Sequence, residues 1–205
     1  MLLVSADGAR RSTERELGAL TTSQLREALT AHLLEHAVRR GDFVLKSGRR
    51  SPWFIDAKQT ICRPPGMLLV ARAVLAEIPA EATAIGGLTM GADPVSFVTA
   101  AYASGVGREL KAFSVRKEVK DHGAGGRIAG ALDAGDRVVV TEDATTRGTS
   151  LAEAVQAVRE CGAEVVLALA LVDRGGAAGD LLGSQGVPFR AVLGAPDLGF
   201  DYDGA

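Results

Sequence analysis

Cysteine is scarce in this chain of 205 residues: Cys62 and Cys161 stand far apart, in no CxxC or Cys/His spacing. A disulfide framework and a cysteine-built metal site are therefore not expected, and both thiols read as reduced, cytosolic and inert. Aromatic residues make up only 4% against 47% hydrophobic, so the core must come from Ala, Val and Leu, as in an α/β protein. Neither sign of charge dominates. A formal net charge of -2 gives no reason to expect a nucleic acid or polyanionic surface as partner, and any phosphate chemistry has to arise from local clusters. No long apolar run is present. The N-terminal MLLVSADGARRSTERE has a brief apolar start followed by charge, which is neither a signal peptide nor a membrane span, and a cytoplasmic protein is expected.

The length suits one domain. Residues 1–20 are polar and aperiodic and are read as a flexible extension, with a single domain over 21–205. Thr22 or Ser23 is expected to cap a helix carrying Leu25, Ala28, Leu29, Leu33 and Val38 on one face and stopped by Gly41. Short strands are expected at Phe43–Lys46 and Trp53–Asp56 around the turn SGRRSP. Further along, Gly66–Ile78 reads as a helix, Ala82–Gly86 as a strand, Val95–Tyr102 as a helix and Lys111–Val115 as a strand. Strands at Asp136–Val140, Glu164–Val172 and Phe189–Leu193 alternate with helices near 150–161 and 177–184. That alternation predicts a parallel sheet covered on both faces, with ligands at the carboxyl ends of its strands.

Asp136 to Cys161, DRVVVTEDATTRGTSLAEAVQAVREC, carries the most functional information. A β-branched strand and an apolar helical pattern closed by Gly162 enclose a polar loop. It opens with Glu142 and Asp143 and ends at a helix N-terminus, whose unpaired N–H groups attract phosphate. Two carboxylates before such a nest would repel a bare anion. A sugar phosphate removes the conflict, since carboxylates accept hydrogen bonds from vicinal hydroxyls while loop amides and threonine hydroxyls hold the phosphate. A bare TxGTS reads more readily as an ordinary βα loop with a helix cap. The strand and the acidic pair favour the ligand.

Three more segments point the same way. FSVRKEVKDHGAGGRIAG, residues 113–130, crowds Arg116, Lys117, Lys120 and His122 beside Gly123, Gly125 and Gly126. A charge run is commonly a solvated loop, but this length and glycine content suit a lid that closes over an anionic leaving group. FVLKSGRRSPWFID places Lys46 before a turn and Trp53 and Phe54 after it; by themselves the lysine would be solvated and the rings core. Arg174 in ALVDRGG suits bidentate carboxylate recognition, with a salt bridge to Asp173 or a helix-end charge as the alternatives. GGLTMGADP reads as a glycine-rich turn before a helix capped by Asp93.

TEDATTRGTS after VVV resembles the phosphoribosyl-diphosphate (PRPP) fingerprint of the type I phosphoribosyltransferases; it is no Walker loop, since neither GKS nor GKT follows. RKEVKDHG resembles the R-K-x-x-K-x-H-G catalytic loop of the orotate phosphoribosyltransferases. The segment FVLKSGRRSPWFID is similar to their N-terminal hood, and GGLTMGADP to their diphosphate loop. These four motifs stand in family order between about Leu25 and Asp201. The resemblance implies an α/β, parallel-sheet type I phosphoribosyltransferase fold with a small hood (about 21–60 plus a C-terminal part) and a flexible catalytic lid, Val119 to Arg127, mobile without ligand and closing in the complex. The implied activity joins orotate and PRPP to give orotidine 5′-monophosphate and diphosphate in de novo pyrimidine biosynthesis.

By the same resemblance Lys120, His122 and Arg116 are catalytic. PRPP is implied to bind at Arg116, Lys117, Lys120, His122, Glu142, Asp143, Ala144, Thr145, Thr146, Arg147, Gly148, Thr149 and Ser150. Orotate is implied at Lys46, Trp53, Phe54, Thr146 and Arg174. Mg²⁺ is expected as cofactor, held mainly by PRPP oxygens, with no protein-only metal site. A homodimer is implied, its active sites shared because part of the lid reaches the neighbouring subunit. Two departures stand out: Met90 lies in the loop where some relatives carry lysine, and Arg147 stands where a small residue or threonine is common. A phosphoribosyltransferase for another base is the rival if Lys46 and Arg174 are absent from the site. A non-catalytic PRPP-sensing regulator is the other, against which Lys120 and His122 argue.

Overall fold

The computed structural model describes residues 20–44, 50–118 and 126–202. Helix α1 (Thr22–His36) leads into a hairpin of β1 (Val38–Val44) and β2 (Arg50–Ile55), followed by the short α2 (Lys58–Ile61) and by α3 (Pro64–Glu77). Then come β3 (Ala84–Leu88), α4 (Ala92–Gly105), β4 (Lys111–Val115), β5 (Ile128–Gly130), β6 (Arg137–Thr145), α5 (Thr149–Glu160), β7 (Glu164–Asp173), α6 (Ala178–Ser184), β8 (Phe189–Gly194) and a 3₁₀ turn, Ala195–Leu198. The main sheet has six strands in the order β5-β4-β3-β6-β7-β8, parallel except for the β4/β5 pair.

The apolar runs of β6 and β7 leave neither strand a polar face in the middle of the sheet, so helices must cover both sides. Val139, Leu167, Leu169 and Leu171 pack with Leu29 and Leu33 of α1, Val70 and Val74 of α3 and Val95 of α4. Val138, Val140 and Ala168 face the other way, onto Leu151, Val155 and Val158 of α5 and Leu182 of α6. Helix α4 joins β3 to β4 on the first face and α5 joins β6 to β7 on the second. The chain therefore winds in opposite directions from the adjacent β3 and β6, which opens a crevice at their carboxyl ends. Their pairing ends at Gly86 opposite Val140.

Several boundaries differ from those expected. Thr21 caps α1, its hydroxyl accepting from the Gln24 N–H while the Gln24 side chain accepts from the Thr21 N–H; the reciprocal glutamine makes this position better than Thr22 or Ser23. The helix stops before Gly41, and Val38, expected on its face, opens β1 opposite Ile55. The helix expected from Gly66 starts at Pro64, because proline suits a first turn that needs no N–H.

Candidate active site

Glu142 and Asp143 lie within β6 rather than in the loop after it. Pairing with β7 continues through Glu142 opposite Ala170 to Thr145 opposite Asp173. The partner's backbone ladder, not the side chains, extends the strand. Alternation then turns the two carboxylates to different surroundings. Burial pushes the Glu142 carboxyl up to about 7 from an ordinary 4.5. Its Asp143 neighbour adds to that, while Ser150 and Thr145 hydrogen bonds and the Lys58 charge oppose it. Asp143 is 8% exposed; its Oδ1 accepts the Ala144 N–H at 2.9 Å, and its Oδ2 pairs with Lys58 Nζ at 2.8 Å.

The loop after β3 closes against this end of β6. A Cβ on Gly91 would lie 2.6 Å from Asp143 Oδ1, so only glycine lets the loop come this near. The Thr89–Met90 peptide is cis, and the Met90 side chain is exposed. Thr89 Oγ1 donates to Asp93 Oδ2 at 2.6 Å in the first turn of α4. On the other flank, Thr145 is buried and its hydroxyl accepts the Gly148 N–H at 3.0 Å. Gly148 turns into α5 at φ 78, a left-handed conformation that favours glycine. The first α5 N–H groups therefore open on the crevice beside the two carboxylates. Thr146 and Ser150 are half-buried, and Arg147 and Thr149 are exposed there.

Strands β4 and β5 form the stem of the basic segment. Their antiparallel pairing is continued by Arg116 N–H to the Arg127 carbonyl at 2.7 Å and by Arg127 Nε to the Arg116 carbonyl at 2.9 Å. Arg127 also pairs with Glu153 of α5, rooting the stem on the helix whose N-terminus opens the crevice. Arg116 is half-buried and Lys117 exposed. Lys120 and His122 lie outside the described residues, as does most of the segment expected to act as a lid.

Arg174, 6% exposed, directly follows β7 and reaches the hood. Its backbone N–H donates to the Thr145 carbonyl at 2.8 Å, and its Nη2 donates to Ser51 Oγ and to the Trp53 carbonyl, both at 2.8 Å. The guanidinium lies 4.7 Å over the Trp53 ring. Phe200 stacks on that ring with centroids 4.4 Å apart and planes 5° from parallel. Trp53 is fully buried and takes part through its carbonyl and ring; Phe54 points away from it and is partly exposed, as the alternation of β2 requires. Asp173 Oδ1 is spent on the N–H groups of Gly175 and Gly176. Lys46 lies outside the described residues.

One crevice thus gathers Glu142, Asp143, the segment 144–150 that leads from β6 into α5, the loop after β3 and Lys58, with Arg174 joining β7 to the hood beside it. Lys58 was not anticipated. It and Asp143 are 85 residues apart, and FIDAK carries no local mark of the pairing. Ser51, buried beneath Arg174, was likewise missed within the turn SGRRSP.

No protein-family model matches the chain. The orotate phosphoribosyltransferase of Corynebacterium glutamicum is 39% identical over 181 residues, 87% of this chain and 96% of the relative. That of Streptomyces avermitilis is 41% identical over 180 residues, 86% of this chain and 98% of its own. The crystal structure of the Mycobacterium tuberculosis H37Rv orotate phosphoribosyltransferase with Fe(III) dicitrate superposes with a TM-score of 0.74 at 35% identity, covering 86% of this chain and 99% of that one. The same enzyme with PRPP gives 0.71 at 33%, with the same coverage. Adenine phosphoribosyltransferase from Leishmania donovani, at 17% identity and 0.58 over 83% of this chain and 81% of its own, shares the fold alone. With relatives of this identity matched over nearly their whole length, the chain belongs to the orotate phosphoribosyltransferases.

Proposed function

We propose that the protein transfers the 5-phosphoribosyl group of PRPP to orotate, giving orotidine 5′-monophosphate and diphosphate in pyrimidine biosynthesis. The observation that carries this reading is the acidic pair at the end of β6, set against the N-terminus of α5 in the β3/β6 crevice. The carboxylates suit the ribose hydroxyls and the turn suits the 5′-phosphate. Arg174, held at the hood, supplies a cation for the orotate carboxylate. The bond between ribose C1 and the diphosphate oxygen breaks as a ring nitrogen of orotate attacks from the opposite face, so positive charge develops on the ribose and negative charge on the leaving group. Arg116, Lys117, Lys120 and His122 would neutralise the diphosphate. Orotate would rest against Lys46, the Trp53–Phe54 backbone, Thr146 and Arg174.

Among the described residues no three His, Cys, Asp or Glu side chains gather as metal ligands. Mg²⁺ would be held mainly by PRPP oxygens, with Glu142 as the nearby carboxylate whose hard oxygens suit it, and bound in that way it would supply charge neutralisation at the diphosphate. A homodimer with shared sites follows from the lid's role in the family. A cytoplasmic location suits the two free, exposed cysteines. No described helix is long and apolar enough to cross a membrane.

The experiment is diphosphate release with purified protein, PRPP and Mg²⁺. Release should require orotate and should not occur when adenine, guanine or uracil replaces it. Release with another base and none with orotate would overturn the reading, and an active species that sediments as a monomer would remove the shared site.

A further inference from the structure

The contact between Lys58 and Asp143 joins two parts of the molecule that the reaction uses separately. Lys58 opens α2, just after β2, whose Ser51 and Trp53 hold Arg174. Its ammonium lies 2.8 Å from Asp143 Oδ2 and 3.2 Å from Asp56 Oδ1. Asp56 is fixed in turn by its N–H to the Ala37 carbonyl at 3.0 Å and by Gln59 Nε2 at 3.3 Å. A run of fixed groups therefore leads from the hood to one oxygen of the acidic pair.

The other oxygen is already committed. Asp143 Oδ1 accepts the Ala144 N–H and lies against Gly91, where not even a methyl group would fit. Oδ2 is left as the oxygen for a ligand, and Lys58 uses one of its two lone pairs. The Asp143 side chain is 12% exposed and that of Lys58 39%, so the pair sits at the crevice wall rather than in the core. A lysine needed only to join hood to sheet has no reason to grip the carboxylate that meets the substrate. Gripping it there fixes the carboxylate's rotamer before the substrate arrives, which spares the ordering cost at binding.

We infer that Lys58 is a positioning residue for the phosphoribosyl donor: it fixes Asp143 so that the second lone pair of Oδ2 is left for a ribose hydroxyl. The role rests on the reading of Asp143 as a ribose ligand. It also places the orotate arginine and the ribose carboxylate under one continuous stretch of chain, residues 51–58.

A double-mutant cycle with full steady-state kinetics tests this. Lys58→Met keeps most of the stem and removes the charge. It should raise the KM for PRPP about tenfold, as contacting residues commonly couple, and leave the KM for orotate within about twofold. Lys58→Arg should restore most of the loss. In the Asp143→Asn background, Lys58→Met should have little further effect, because its action passes through Asp143. Additive losses would overturn the inference and make Lys58 a direct substrate contact. A raised PRPP KM in Asp143→Asn with none in a folded Lys58→Met would sink the inference alone. No change in folded Asp143→Asn would remove the ribose assignment beneath it. Thermal melting of each variant establishes folding, and Lys58→Gln serves if Lys58→Met does not fold.

Discussion

Glu142 keeps a carboxyl where burial disfavours its charge, and the cost can be followed with pH. In the unfolded chain it titrates near 4.5, and in the folded protein at about 7. The folded state therefore holds the extra proton between these values, and stability falls as pH rises through that window. Above pH 7 the full penalty is in place, about 3 kcal/mol. Glu142→Gln should accordingly melt higher than the parent at pH 8 and at nearly the same temperature at pH 4, while binding PRPP more weakly at both. Equal melting temperatures at pH 8 would mean that the folded protein does not hold the carboxyl in this environment. The proposed role of the acidic pair was suggested by TEDATTRGTS itself, where two carboxylates precede a phosphate nest that they would repel without a sugar between. Their contrast was not. It depends on Lys58 arriving from α2, 85 residues before Asp143, which no local spacing encodes, as well as on Thr145 and Ser150 of the motif itself.

The hood is an element-scale device, a two-stranded hairpin that lacks the apolar face to stand alone. Its inward residues Ser51, Trp53 and Ile55 alternate with Arg50, Pro52 and Phe54, and the inner row meets Arg174 and the chain after β8. Pairwise ring contacts run from Arg174 to Trp53, from Trp53 to Phe200, and from Phe200 to Arg40, which lies 4.6 Å over it. Phe200→Ala should remove about 1 kcal/mol of stacking and loosen Trp53 beneath the arginine. The KM for orotate should rise several-fold and that for PRPP should not. Trp53 is the only tryptophan, so its emission should shift to the red in the variant. An unchanged orotate KM would show that the C-terminal segment covers the hood without supporting Arg174. Periodicity found the larger helices and the inner strands because they bury apolar residues on repeating faces. It missed α2 at Lys58–Ile61 and β5 at Ile128–Gly130, which are short and depend on tertiary partners. It also ended β6 early, where polar side chains disguised a backbone still paired with β7.

Across the whole molecule the two ends of the sheet divide the work. The carboxyl ends carry the glycine-rich and acidic turns, whose polar residues stand out in an apolar chain and made the site readable. The amino ends carry Thr83, Lys111, Asp133 and Asp136, ordinary surface types whose network emerges only when the strands align. Asp136 Oδ1 accepts from Thr83 Oγ1 at 2.8 Å; Oδ2 accepts the Asp133 N–H at 2.7 Å and pairs with Lys111 Nζ at 2.6 Å. Burial works against its charge, but Lys111 and these hydrogen bonds outweigh it and hold the carboxyl below its ordinary 3.8. A depressed carboxyl contributes stability that is present above the unfolded value and lost as pH falls through the folded one. Asp136→Asn should therefore cost about 2 kcal/mol at pH 7, a melting-temperature loss of about 5 °C. The gap to the parent should close below pH 3.8, where the parent loses the same charge. Both KM values should stay at the parent's, because the crevice lies at the opposite ends of these strands. A variant that melts normally but binds PRPP poorly would show that the amino end acts on the site, and the division of labour along the sheet would fail.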